Sequence, residues 1–454
     1  MGRIFGTDGI RGRANVPPLT PEFVQRIGIA AGAEFTRGDH RHHVVIGKDT
    51  RLSGYMMETA LTSGFLSIGM NVFIVGPIPT AAIPMLVRSM RCDLGVMISG
   101  SHNPWHDNGI KLFGQDGRKL SEQVERSLEE RLQAYPSSHT LADAPDVGRA
   151  KRIDDAVGRY NEWVKATVPA NLRLDGLKIV VDCANGAAWR VTPQVLWELG
   201  ADVVAMGVAP DGTNINRNCG STAPDAMAAR VRQSGADLGI ALDGDADRCV
   251  LADERGRVVD GDRLIAMIAR EWLESGNLTG SAVVGTPFSN YGFERYLGTL
   301  QLGLLRAPVG DRHVSQWMRL HGCNVGGEPS GHIILANHSE TGDGLASALQ
   351  ALSVMARTGN PLSELLPRYE AVPQHQSNVR LPNGRDVDPL VDRSVRAVVK
   401  EAEQRLRGKG RLIVRPSGTE PLLRVLVETS DEPAAREIIE SIAAAVATAG
   451  RDAA

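Results

Sequence analysis

Short apolar runs alternate along this chain with longer stretches of helical periodicity. VVIG (44–47) is followed by KDTRLSG, a helical pattern over 55–67, and a second apolar run, NVFIVG (71–76). The same order returns as KIVVD (178–182), CANGAA, a helical stretch to Leu199, and DVVAMG (202–207). A third copy starts with AVVG (282–285) and a helix through Tyr296. Strands alternating with helices predict α/β units and mainly parallel sheets. Glycines close many of the apolar runs, which suits strand-to-loop turns.

The repetition extends to residues. DLGVMISGSHN begins at Asp93 and DLGIALDGDAD at Asp237. Aligned, they share Asp-Leu-Gly and a later glycine, Gly100 with Gly244. Val96 matches Ile240, and Ile98 matches Leu242. Gly69, Val72 and Gly76 likewise match Gly200, Val203 and Gly207. Two matches in one order indicate a duplicated domain. In this register Ser101 lies opposite Asp245, each just past the end of a strand, where α/β folds place ligands.

Composition shifts suggest boundaries. AYPSSHTLADAPD (134–146) is loop-like, and ERGRVVDGDR near Glu254 leads into a helix from about Leu264. LPRYEAVPQHQ reads as an irregular linker. Beyond it come a helix over 386–407, strands RLIVR and LLRVLVE, and a closing helix that Asp431 and Pro433 begin. The expected domains are 1–150, 151–254, 255–368 and a separate small α+β domain, 369–454.

Bulk properties narrow the class. A net charge of −3 gives no reason to expect nucleic-acid or membrane binding, and 4 % aromatics argue against a base-stacking platform. Five scattered cysteines without a CxxC read as reduced thiols in a cytoplasmic protein. No apolar run has the length of a signal peptide core or a membrane span.

The strongest chemical signal is ALDGDADR. Asp243, Asp245 and Asp247 alternate with small residues directly after an apolar strand. Crowded carboxylates repel, so a bound hard cation such as magnesium, manganese or calcium is the natural compensation. An EF-hand fits the acidic spacing through Glu254. Arg248 stands where its turn needs glycine, however, and the flanks look like strands. In ISGSHNP, Ser101 beside His102 suggests nucleophile and base, but neighbours in an extended segment point to opposite faces. In VRPSGTEPLLR, Arg415 and Arg424 bracket Ser417, Gly418 and Thr419, a set suited to a dianionic phosphate or to an ordinary polar turn. In VGGEPSGHI, Glu328 and Ser330 can hydrogen-bond sugar hydroxyls and His332 can contact phosphate. FGTDGIRG and IGKDTRLSG are Gly-rich basic turns in which Arg11, Lys48 and Arg51 could face an anion. Neither is a P-loop.

Together, and in this order along nearly the whole chain, ISGSHNP with NGIK, DGDADR, GEPSGH and RPSGTEP resemble the α-D-phosphohexomutase superfamily. FGTDGIRG, DGTNINRNCGST (211–222) and the doubled glycine of GGEPSGH resemble its glucosamine-phosphate branch. The chain departs from that branch at Pro329, Gly100 and His313, where glutamine, alanine and tyrosine are usual. The resemblance implies three similar mixed α/β domains plus a smaller C-terminal α+β domain around a central cleft. It implies an isomerase that interconverts glucosamine 6-phosphate and glucosamine 1-phosphate through phosphoserine and glucosamine 1,6-bisphosphate, feeding UDP-N-acetylglucosamine synthesis. The alternative is action on glucose or mannose phosphates. By the same resemblance Ser101 carries the phosphoryl group and joins Asp243, Asp245 and Asp247 around one Mg2+. Lys111 and Arg248 approach the transferring group. Arg11, Lys111 and His332 are candidates for proton transfer or charge stabilisation. Glu328 and Ser330 read the sugar, and Arg415, Ser417, Gly418, Thr419 and Arg424 hold its other phosphate. A sugar phosphate is the expected partner, with glucosamine or glucose 1,6-bisphosphate as activator and a homodimer as a candidate assembly. Rival readings are a phosphatase using the aspartates as nucleophile and acid, and a non-enzymatic calcium or sugar-phosphate sensor.

Overall fold

Strands and helices alternate as the apolar pattern requires in a computed structural model of the chain. The structure describes residues 3–6, 8–137, 140–381, 389–416 and 421–452, with side chains to 449. The first sheet holds β1 (Phe5–Gly6), β2 (Gly9–Arg13), β3 (His43–Lys48), β4 (Asn71–Pro77), β5 (Leu94–Ile98), β6 (Asp107–Gly114) and β7 (Ala150–Arg152). The second holds β8 (Lys178–Asp182), β9 (Asp202–Met206), β10 (Leu238–Leu242), β11 (Cys249–Ala252) and β12 (Val258–Val259). The third holds β13 (Ala282–Gly285), β14 (Gly303–Arg306), β15 (Val325–Gly327) and β16 (Ile333–Leu335).

The three sheets share one strand order, β6-β5-β3-β4, β11-β10-β8-β9 and β16-β15-β13-β14. The duplication seen in the residues is therefore a repeat of topology. The sheets are mixed rather than mainly parallel, because β5 pairs antiparallel with β6, β10 with β11, and β15 with β16. The reason is loop length. Residues 99–106 and 243–248 are too few for the crossover a parallel neighbour needs, so each closes a hairpin. The central strands LGVMI (β5) and LGIAL (β10) are buried at every position, as expected for strands covered on both faces.

Helix starts follow their caps. Asp260 accepts the Arg263 N–H (2.9 Å), so the helix expected from about Leu264 begins at Gly261. The helix expected over 386–407 spans Arg393–Leu406, because Asp392 accepts the Ser394 N–H (2.7 Å). Helices Pro21–Phe35 and Ser53–Ser67 approach closely where glycines meet. A Cβ on Gly28 would lie 2.8 Å from the Leu61 carbonyl oxygen, and one on Gly64 2.4 Å from that of Gln25.

A fourth, antiparallel sheet holds β17 (Gln374–Arg380), β18 (Gly410–Pro416) and β19 (Leu422–Thr429). Here β17 replaces the end of the expected linker. It is an edge strand whose only buried residue is Val379, so its sequence carries almost no apolar alternation. Residues through Thr286 with Leu304–Pro367 form one compact unit, and Pro287–Gly303 with the chain from Arg368 form another.

Candidate active site

Ser101 and the three aspartates come together from the two duplicated hairpin loops. Ser101 is 2 % exposed and sits in a left-handed turn (φ 51°), a conformation held only where surrounding contacts fix it. The contacts are specific. The Ser101 N–H donates to Ser99 Oγ (2.8 Å), which donates to Asp49 Oδ2 (2.7 Å). The fully buried Arg51 guanidinium donates to the carbonyls of Ser101 (2.7 Å), Asn103 (2.9 Å), Asp107 (3.0 Å) and Pro104, and pairs with Asp49 (2.8 Å). Asn216 of the second sheet's unit donates to the same Ser101 and Asn103 carbonyls (2.7 and 3.0 Å).

The Ser101 hydroxyl donates to Asp243 Oδ2 at 2.8 Å. His102 Nδ1 lies 3.4 Å from Ser101 Oγ. The loop is a turn, not an extended segment, so opposite-face geometry does not separate the pair. His102 is instead a weak base, because burial and then the Arg248 and Arg11 charges push it down to about 4.

One oxygen from each of Asp243, Asp245 and Asp247 lies within 4.8 Å of the others, and all three side chains are buried. Thr80 donates to Asp245 Oδ2 (2.6 Å), and Lys111 Nζ from β6 bridges Asp245 and Asp247 (both 2.8 Å). Burial raises the Asp247 carboxyl, but Lys111, His332 and Arg248 outweigh it and hold the group at about 2. Burial, then the charges of Asp247 and Asp245, push Asp243 well above its ordinary value. Burial opposes charge on Lys111, but Asp245, Asp247 and Asp8 keep it charged far above neutrality. Asp245 Oδ1 and Asp247 Oδ1 are buried with no hydrogen-bond partner. Two orphaned carboxylate oxygens inside an all-oxygen donor set fit a hard divalent cation. The flanks β10 and β11 are strands, so this is no EF-hand.

The GEPSGH loop joins this cluster. Arg248 and His332 form an isolated β-bridge, and the Cys249 N–H donates to the Gly331 carbonyl (2.9 Å). His332 Nε2 stands 3.4 Å from Asp311 and 3.7 Å from Asp247. Glu328 accepts the Gly310 N–H (3.3 Å) and the Ser330 hydroxyl (3.4 Å), and its charge acts on Arg248. Arg11 pairs with Asp8, which also lies 3.2 Å from Lys111.

Two of the expected anion contacts are otherwise engaged. Lys48 pairs with Glu58 (2.7 Å) over the Tyr55 ring, and Arg51 is spent on the serine loop's carbonyls. Asp8, Lys119 and Asp311 form a half-buried chain of ion pairs that the sequence did not reveal. It did not reveal Gly342 either. A Cβ there would lie 2.6 Å from His332 Cε1 and 2.6 Å from the Asp247 carbonyl oxygen.

In the other unit, Arg415 and Arg424 are direct cross-strand partners on β18 and β19. Burial, then the Arg424 charge, lowers the Arg415 guanidinium. Like charges directly opposite disfavour pairing unless an anion joins them. Ser417, Gly418 and Thr419 lie outside the described residues.

Family models match in sequence. They are Phosphoglucomutase/phosphomannomutase alpha/beta/alpha domain I over residues 2–139, domain II over 159–256, domain III over 260–372, and the C-terminal domain over 377–445. A phosphoglucosamine mutase of Granulibacter bethesdensis is 58 % identical, over 97 % of this chain and 95 % of its own. A solved phosphoglucomutase/phosphomannomutase family protein from Burkholderia thailandensis superposes with a TM-score of 0.81 at 23 % identity, covering 98 % and 97 % of the two chains. The N-acetylphosphoglucosamine mutase of Aspergillus fumigatus, solved with GlcNAc-6P and magnesium, gives 0.64 at 20 % identity, covering 98 % and 96 %.

Proposed function

We propose, from the premise that the chain belongs to the phosphoglucomutase/phosphomannomutase family, that it interconverts glucosamine 6-phosphate and glucosamine 1-phosphate. It is an isomerase of the mutase type, as its relatives' names at this identity indicate. The observation that carries the reading is the Ser101 hydroxyl bonded to Asp243 inside a buried three-carboxylate cluster.

Phosphoryl transfer is chiefly positioning and charge neutralisation. Ser101 carries the group, presented by a turn that Arg51 and Asn216 lock from beneath. In the forward step the Ser101 Oγ–P bond breaks and a bond to a hydroxyl oxygen of the sugar phosphate forms. The product is glucosamine 1,6-bisphosphate, whose other phosphate then returns to Ser101. Asp243, Asp245 and Asp247 with Ser101 would hold one Mg2+ per chain, supplying positive charge to the transferring oxygens. Lys111 and Arg248 add charge beside them. The sugar hydroxyl's proton needs an acceptor. Lys111 and Arg11 are held in their charged forms and serve as charge stabilisers, which leaves His332, whose Nε2 stands 3.7 Å from Asp247. Its Nδ1 has no hydrogen-bond partner among the described residues, which favours it for this role. Glu328 and Ser330 take the sugar hydroxyls. Arg415, Arg424 and the Ser417, Gly418 and Thr419 segment hold the sugar's other phosphate. Glucosamine 1,6-bisphosphate or glucose 1,6-bisphosphate primes the serine, and the product feeds UDP-N-acetylglucosamine synthesis.

Glucosamine 6-phosphate, glucose 6-phosphate and mannose 6-phosphate, offered in parallel with a trace of bisphosphate, test the assignment. Glucosamine 6-phosphate is expected to give the highest kcat/KM. Preference for a hexose phosphate would overturn the branch and assign Pro329, in the sugar-reading loop, to the change.

A further inference from the structure

A second cluster of ligating atoms lies at the opposite end of the first sheet from Ser101. His40 Nε2 is 2.9 Å from Asp93 Oδ1, and His42 Nδ1 is 3.3 Å from the same oxygen. All three ligating atoms lie within 4.8 Å of one another. The two imidazole centroids are 4.1 Å apart, with planes tilted by 58°. His42 is 5 % exposed, and its Nε2 has no hydrogen-bond partner among the described residues. A buried imidazole with one nitrogen unsatisfied is costly, and its other nitrogen faces a carboxylate shared with a second, solvent-exposed imidazole.

We propose that His40, His42 and Asp93 bind a Zn2+-class transition-metal ion that staples the entry to β3 onto the entry to β5. Two imidazole nitrogens and a carboxylate oxygen suit zinc, nickel or copper and disfavour magnesium or calcium, which take oxygen ligands. Zinc with bonds of about 2.0–2.2 Å places tetrahedral ligand atoms roughly 3.4 Å apart, close to the spacing here. Asp93 is oriented by its other oxygen, which accepts the His43 N–H (2.8 Å), an outer contact of the kind that fixes metal ligands. His40 is exposed, leaving an entry path and room for water as a fourth ligand.

Strands β3 and β5 are parallel neighbours, with Val44 opposite Leu94. The five residues of β5, about 16 Å at 3.3 Å each, separate this site from the loop bearing Ser101. The ion's role is therefore structural, distinct from that of the three-aspartate cluster.

The test is a Zn2+ titration of the chelator-stripped, full-length chain in excess Mg2+, by calorimetry or indicator competition. The Asp245→Asn chain, in which the carboxylate cluster is weakened, is titrated alongside. In both backgrounds one Zn2+ per chain is expected, and His40→Ala should weaken it at least tenfold. Mg2+-supported mutase activity should be unchanged in the single His40→Ala variant. Cobalt should give tetrahedral visible absorption in the native chain and lose it in His40→Ala. Zinc affinity unaltered by His40→Ala in both backgrounds, or no zinc bound in the Asp245→Asn chain, would overturn the site and leave an imidazole–carboxylate pair only.

Discussion

At the scale of single residues, charge placement decides what the cluster can do. Lys111 is buried and pairs with Asp8, Asp245 and Asp247, and its positive charge offsets the mutual repulsion of these carboxylates. Lys111→Met leaves them uncompensated and should lower stability by about 3–5 kcal/mol in denaturant melts without added metal. A divalent cation should recover part of that loss. Asp343 behaves in the opposite sense. Burial raises it from 3.8 to about 6, although it caps helix Gly344–Thr358 and accepts the Tyr160 hydroxyl (2.9 Å). The folded chain thus holds a proton that the unfolded chain has released, and Asp343 makes stability fall as pH rises from about 4 to 6. Asp343→Asn keeps a cap acceptor, and its melting temperature should depend less on pH across that window. The three aspartates were legible because alternation after an apolar strand is a local pattern. The Asp8–Lys119–Asp311 chain was not, since its members meet only through the tertiary fold, Asp8 from a turn, Lys119 from an isolated bridge to Phe113 and Asp311 from the start of a helix.

At the scale of elements, the serine loop is a hairpin connection held from one side by Arg51. A lysine has three donors on a point charge, so it cannot reproduce a planar fork that reaches four carbonyls and a carboxylate. Arg51→Lys should lower kcat with little change in KM, because it moves the presentation of Ser101 and touches no substrate group. Steady-state kinetics separate the two effects. The sequence placed Arg51 in a basic Gly-rich turn and suggested an anion. Its true acceptors are backbone carbonyls, which leave no mark in a sequence. Strand boundaries were legible wherever a strand is buried on both faces, as in LGVMI and LGIAL. They failed at β17, where an edge position frees the side chains from any apolar pattern.

At the scale of the whole molecule, the account rests on duplication. Two copies of one α/β unit bring equivalent hairpin loops together, and the copies have diverged in chemistry. One loop presents a hydroxyl, and the other presents carboxylates to receive a cation. The shared topology was readable from DLGVMISGSHN and DLGIALDGDAD, whereas the contact of Ser101 with Asp243 required the structure, since the repeat aligns Ser101 with Asp245. The most direct test of the central claim is intact-mass analysis and peptide mapping after incubation with glucose 1,6-bisphosphate and Mg2+. The native chain should gain one phosphate, on Ser101, and pass it to glucosamine 6-phosphate. Ser101→Ala should gain none and lose turnover by at least about a thousandfold. Phosphate on Asp243, or turnover retained in Ser101→Ala, would contradict the account.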